Sequence, residues 1–269
     1  MLSKRVLFVM VAVVFIVGAA ASSPVFAGIA KEFCVVATIK IKPGYEEKAY
    51  KEMAALIPLT HREPGCLRYD MHVNVGLEPN DNKKVNPNFI MFYETWTDRE
   101  SWDMHMVKPY VKRWFEMSKE MTEGVEIYLY EKLKGNTIPT RQVKNPDPKE
   151  QYTILALIKI KPKNANIASG IPDTVDRAWK EMLALIPLTH TDPSCINYDM
   201  HVALDMDTMG WKMSDVAFYE NWYSYDLWKK DHMNAPYLKH WFDIAEKFVD
   251  LKLTAWRKVD FTEAPSPSK

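Results

Sequence analysis

A run rich in Val, Ile and Thr from Phe33 to Ile41 stops at Pro43-Gly44, which predicts a strand closed by a turn. From Tyr45 to Leu56 the apolar residues Ala49, Met53 and Leu56 fall at helical spacing among charged ones. They predict an amphipathic helix, ended by Pro58 and then by Glu63-Pro64-Gly65. Cys66 to Val75 predicts a second strand, and Phe89 to Trp96 a third after a loop of Asn, Asp, Lys and Pro. Thr97-Asp98-Arg99-Glu100 has the form of a helix start, with a capping side chain and acid in the first turn. That helix carries Trp102 and His105 and is interrupted or restarted at Pro109, because proline suits a first helical turn. Val125 to Leu133 alternates as a last strand.

The same pattern returns. Leu56-Ile57-Pro58-Leu59-Thr60-His61 recurs as Leu185-Ile186-Pro187-Leu188-Thr189-His190, and Tyr69-Asp70-Met71-His72-Val73 as Tyr198-Asp199-Met200-His201-Val202, both at an offset of 129. The chain is a duplication. Repeat one spans residues 32–133 and repeat two 151–259, each the size of a small domain. Residues 134–150 between them have the proline and charge content of a linker, and 260–269 the composition of a disordered tail. The offset grows from 119 at Ile39 and Ile158 to 129 at Lys51 and Lys180, so about ten residues, including Asn164 to Pro172, were added before the first helix of repeat two. Strand, helix, strand, strand, helix, strand is the order of a ferredoxin-like βαββαβ domain, an α+β arrangement with both helices on one face of an antiparallel sheet. Two such domains can cover each other's bare sheet faces. The expected fold is therefore a dimeric α/β-barrel built within one polypeptide.

Composition adds an address. Lys4 and Arg5 precede an apolar run from Val6 to Ala21, followed by small residues with Val25 and Ala27 at cleavage spacing. Residues 1–27 read as a signal peptide, with the mature chain beginning near Gly28 in the periplasm or outside the cell and no stable membrane insertion after cleavage, the alternative being an uncleaved N-terminal anchor. The 35 basic and 35 acidic residues balance, which points to neither nucleic acid nor an anionic membrane. Three cysteines form no disulfide framework, and the repeat-equivalent Cys66 and Cys195 are expected to pack each within its own domain.

Certain strings resemble the antibiotic biosynthesis monooxygenase family, small ferredoxin-like domains that pair into barrels. In repeat one they are Ile41-Lys42-Pro43-Gly44, Glu63-Pro64-Gly65-Cys66-Leu67 with Tyr69, Phe92-Tyr93-Glu94-Thr95-Trp96, and His105 with Pro109-Tyr110 and Phe115. In repeat two they are Ile160-Lys161-Pro162, Asp192-Pro193-Ser194-Cys195-Ile196 with Tyr198, Phe218-Tyr219-Glu220-Asn221-Trp222, and His232 with Pro236-Tyr237 and Phe242. The resemblance implies oxidation of a quinol or phenol by O2 without metal or flavin, which asks for a base, an apolar aromatic pocket and donors to a developing oxyanion. The haem-degrading branch uses Asn, Trp and His at positions that align with Ala37, His105 and Phe115, so none of the three matches.

Within that frame His105 and His232 are the candidate acid/base groups. Trp96, Trp222, Tyr93 and Tyr219 are expected to line or orient the pocket, with His72 and His201 adding polar contacts. Strand alternation sets His72 toward the barrel interior, where it approaches His201. With nearby carboxylates that pair would also suit zinc, copper or iron, and a histidine could bind haem. The expected partner is a small aromatic substrate with no cofactor. The competing reading is a non-catalytic protein that holds an aromatic or hydrophobic ligand, a metal or haem in the same cleft. His61 and His190 follow the first helix of each repeat and are expected to cap it.

Overall fold

The computed structural model describes residues 31–78, 84–133, 150–161, 174–204 and 215–259. The expected signal peptide, linker, loop insertion and tail lie wholly or mainly outside them. In repeat one, β1 (Lys31–Ile41), α1 (Glu46–Thr60), β2 (Cys66–Val75) and β3 (Val85–Trp96) are followed by α2 (Arg99–Met106), α3 (Pro109–Met121) and β4 (Thr122–Leu133). Repeat two has β5 (Tyr152–Ile160), α4 (Thr174–Thr189), β6 (Cys195–Ala203) and β7 (Val216–Trp222). It continues through α5 (Tyr225–Leu227), a π-helical turn (Trp228–His232), α6 (Pro236–Ala245) and β8 (Val249–Lys258).

The eight strands close into one barrel in the order β1-β3-β2-β8-β5-β7-β6-β4, antiparallel throughout. Each repeat supplies four neighbouring strands. The seams are reciprocal, since β2 of repeat one pairs with β8 of repeat two and β4 pairs with β6. Closure satisfies the sheet edges that a lone ferredoxin-like domain would leave bare. The pleat then sorts side chains into three cores. On the outer faces, Val35, Ala37, Phe92 and Trp96 pack under the helices of repeat one, and Ile154, Ala156, Phe218 and Trp222 under those of repeat two. Between the two sheets lie Cys34, Val36, Met91, Tyr93, Tyr219 and Trp256.

Local chemistry explains most element ends. Asp98 caps α2 by accepting from the Ser101 backbone N–H at 2.8 Å, and Ser224 does the same for Leu227 at 3.3 Å. Pro109 and Pro236 open α3 and α6, where their missing N–H costs nothing. One expectation needs correction. Pro58 does not end its helix, nor does Pro187 in repeat two. Each sits exposed in the last turn, where one backbone bond is lost and the helix still runs on to Thr60 and Thr189. The exposed His61 is the residue at the end of α1, its backbone N–H donating to Ile57 O.

The helix that carries the histidine differs between the repeats. Trp102 and His105 are three residues apart, whereas Trp228 and His232 are four apart. Repeat two absorbs its extra residue as the π turn, with Met233 N donating to Trp228 O at 3.1 Å. Trp228 and His232 thereby keep the places of Trp102 and His105. Single π turns of this kind often mark functional positions.

Candidate functional site

Each repeat holds a cleft between its sheet and its second helical segment. In repeat one the walls include Val35, Ala37, Phe92, Trp102, Trp114 and Phe115, around an open volume of about 460 Å3 that includes the mouth. In repeat two they include Ile154, Ala156, Phe218, Trp228, Trp241 and Phe242, around about 420 Å3. Tyr69, Glu94 and His105, and Tyr198, Glu220 and His232, are the ionisable residues these walls bring together.

The imidazole of His105 is fixed from behind. Its Nδ1–H donates to Glu63 Oε1 at 2.6 Å, and the Tyr110 hydroxyl donates to the same oxygen. Glu63 stands in the tight turn between α1 and β2, where its backbone N–H donates to Thr60 O and its carbonyl accepts from Cys66 N. Gly65 completes that turn with φ +83°, and a Cβ there would meet the Ser101 side chain. Repeat two reproduces the device with a shorter acid, as His232 Nδ1–H donates to Asp192 Oδ2 at 3.0 Å and the Tyr237 hydroxyl donates to the same oxygen. With Nδ1 committed, Nε2 is left as the nitrogen that can take a proton. Burial pushes the His105 pKa down against the pull of Glu63, so the ring is neutral and basic at neutral pH.

Glu94 and Glu220 are the second half of the arrangement. The indole N–H of Trp96 donates to Glu94 Oε2 at 3.0 Å, and that of Trp222 to Glu220 Oε2 at 3.1 Å. The same indoles lie against the histidine rings, with centroids 4.9 Å and 4.5 Å apart. His232 Nε2 is 3.9 Å from Glu220 Oε2. Burial raises Glu94 to about 8 and Glu220 to about 7, so both carboxyls titrate in the range useful for proton transfer.

The other expected residues lie elsewhere. Tyr93 and Tyr219 do not line the clefts, because strand alternation turns them to the sheet face opposite Glu94 and Glu220. They stack on each other inside the barrel, with ring centroids 3.6 Å apart and 5° between planes. Each meets a histidine of the other repeat, Tyr93 Oη to His201 Nε2 at 2.8 Å and Tyr219 Oη to His72 Nε2 at 3.0 Å. Burial drives His72 down to about 3 and His201 to about 4, so both are neutral partners of the tyrosines. His72 and His201 are therefore separated from the clefts by the sheet. Trp96 and Trp222 back the clefts, where they orient both the glutamate and the histidine. The three cysteines are unpaired, Cys34 buried within the barrel.

Sequence reasoning misses the role of Glu63 and Asp192, which stand in the turn and in the strings shared with the family but are not among the expected site residues. The available signal was an acid at the same point of both repeats, two residues before Gly65 and Ser194. Glu94 and Glu220 recur in the same way, between two aromatic residues.

Residues 32–117 match the model of the antibiotic biosynthesis monooxygenase (ABM) family. The first repeat is thus similar to the ABM family over most of its length. Repeat two carries the same strings, strand order and site, so the molecule pairs two ABM-like folds in one chain. Solved structures share that tandem fold at low identity. A candidate monooxygenase from Fusobacterium nucleatum superposes with a TM-score of 0.60 at 12% identity, covering 86% of this chain and 94% of its own. An anthrone oxidase-like protein does so with a TM-score of 0.59 at 13% identity, covering 89% and 97%. No curated protein matches the chain.

Proposed function

We propose that the clefts oxidise a phenolic or quinol-like small molecule with O2, as a monooxygenase in which the deprotonated substrate itself supplies the electrons and no metal or flavin takes part. The observation that carries the reading is the buried imidazole held at Nδ1 by a carboxylate, its ring lining an aromatic, apolar cleft, built twice from equivalent residues. The match of residues 32–117 to the ABM family supports the reaction class.

His105 or His232 takes the proton of the substrate hydroxyl at Nε2, and Glu63 or Asp192 stabilises the imidazolium that forms. The apolar walls hold the aromatic ring and keep water away from the electron-rich anion. For a hydroquinone the ring gains one oxygen atom and loses two hydrogens, which leave with the second oxygen atom as water. The N-terminal apolar segment supports action in the periplasm or outside the cell, which the N-terminus of the exported chain, expected near Gly28, will test.

Oxygen uptake with a panel of phenols and hydroquinones tests the activity, with one atom of 18O2 expected in the product. Tight binding of these compounds without oxygen consumption would favour the non-catalytic ligand carrier instead. A Soret band or a stoichiometric transition metal in the purified protein would overturn the cofactor-free reading.

A further inference from the structure

The ionisable groups that line each cleft are Tyr69, Glu94 and His105 in repeat one, and Tyr198, Glu220 and His232 in repeat two. They gather at one end. The sheet register sets Tyr69 and Val35 on either side of Glu94, while Val125 faces Ile39, four residues further along β1. That spacing amounts to about 13 Å at the rise of a strand. The far end is walled by Ile39, Val125 and Ile127, and in repeat two by Ile158, Leu251 and Leu253.

At the polar end, each glutamate accepts from a tryptophan through Oε2 and has no lysine or arginine partner among the described residues. The 3.9 Å between His232 Nε2 and Glu220 Oε2 is a gap that one oxygen atom, seated beside both groups, can bridge.

We infer that each cleft selects a ligand with a single oxygen pole, a monophenol or the corresponding enol, whose oxygen sits between the histidine Nε2 and the glutamate carboxyl and whose remainder is wholly apolar. The inference rests on the phenolic reading above and narrows it, because a para-dihydroxy ring would place its second hydroxyl toward apolar walls with no partner. It also gives Glu94 and Glu220 a catalytic part. Once the histidine has taken the phenolic proton, the carboxyl O–H donates to the oxyanion left behind. Burial, joined by the negative charge of Glu63 or Asp192 behind the histidine, keeps these carboxyls protonated up to near-neutral pH.

Anaerobic titration calorimetry of the full chain with 4-methylphenol, hydroquinone and toluene tests the ranking. Hydroquinone, in which a hydroxyl replaces the methyl group, is expected to bind roughly 100-fold more weakly than 4-methylphenol. Toluene, which lacks the oxygen pole, is expected to bind at least about tenfold more weakly. E94Q/E220Q keeps a donor and should retain 4-methylphenol within several-fold, whereas E94L/E220L should reduce it to the level of toluene. Equal binding of hydroquinone and 4-methylphenol, equal binding of toluene and 4-methylphenol, or no binding of any of the three overturns the inference. If the leucine pair does not fold, the three-ligand comparison on the native chain still decides. Absence of oxygen consumption with a phenol that binds in this order would count against the monooxygenase reading and leave the ranking intact.

Discussion

Glu94 and Glu220 carry the strongest pH signature in the clefts. In the unfolded chain a glutamate ionises near 4.5, whereas burial in the fold holds these two protonated up to about 8 and 7. Between those values the folded state binds more protons than the unfolded state, so this contribution to stability falls as pH rises from about 4.5 to about 8. His72 and His201 act with the opposite sign. Their folded pKa values lie near 3 and 4 against 6.5, so their contribution is complete above 6.5 and is lost as pH falls toward 3. E94Q/E220Q removes only the first effect. Thermal melts should show the variant gaining on the native protein as pH is raised from 5 to 8, and a constant difference across that range would contradict the assignment.

The strands and helices of repeat one were legible in the sequence because their apolar spacing is regular and their ends carry Pro, Gly and Asp. What the pattern could not show was the fate of single irregularities. Pro58 read as a stop, yet one missing backbone bond in an exposed last turn is cheap beside the burial of Leu56 and Ile57. The sequence shows an extra residue between Trp228 and His232, but spacing alone does not say whether an insertion displaces a side chain or is looped out. The π turn keeps both residues in place. Deleting the exposed Lys230 restores the three-residue spacing, and the turn should revert to α-helix with the melting temperature changed by no more than a few degrees. A collapse of stability on deletion would mean that the π turn is required in its own right.

At the scale of the whole molecule, the barrel is held by contacts that cross between repeats. The Tyr93–His201 and Tyr219–His72 hydrogen bonds are reciprocal, and Arg68 lies 5.3 Å and 5.2 Å from the centres of the two stacked rings. In repeat two the position of Arg68 is Asn197, so the interior is less symmetric than the clefts. The closed barrel followed from the duplication and the βαββαβ order, but the division of labour between its two sheet faces did not. Tyr93 and Glu94 are adjacent in sequence and serve different cores, and His105 and Glu63 meet across 42 residues. Y93F/Y219F leaves two buried imidazoles without their partners and should cost roughly 1–3 kcal/mol for each. Calorimetry should register that loss as a lower melting temperature while the clefts keep their ligand binding, because the sheet stands between them. The central claim, that the carboxylate-held histidines are the bases of an oxygen-consuming reaction, is tested most directly by oxygen uptake of H105A/H232A beside the native chain. With a phenol that the native chain oxidises, turnover should fall by roughly 100-fold or more, while circular dichroism and the melting transition show an intact fold. Unchanged turnover in the folded double variant would contradict the account.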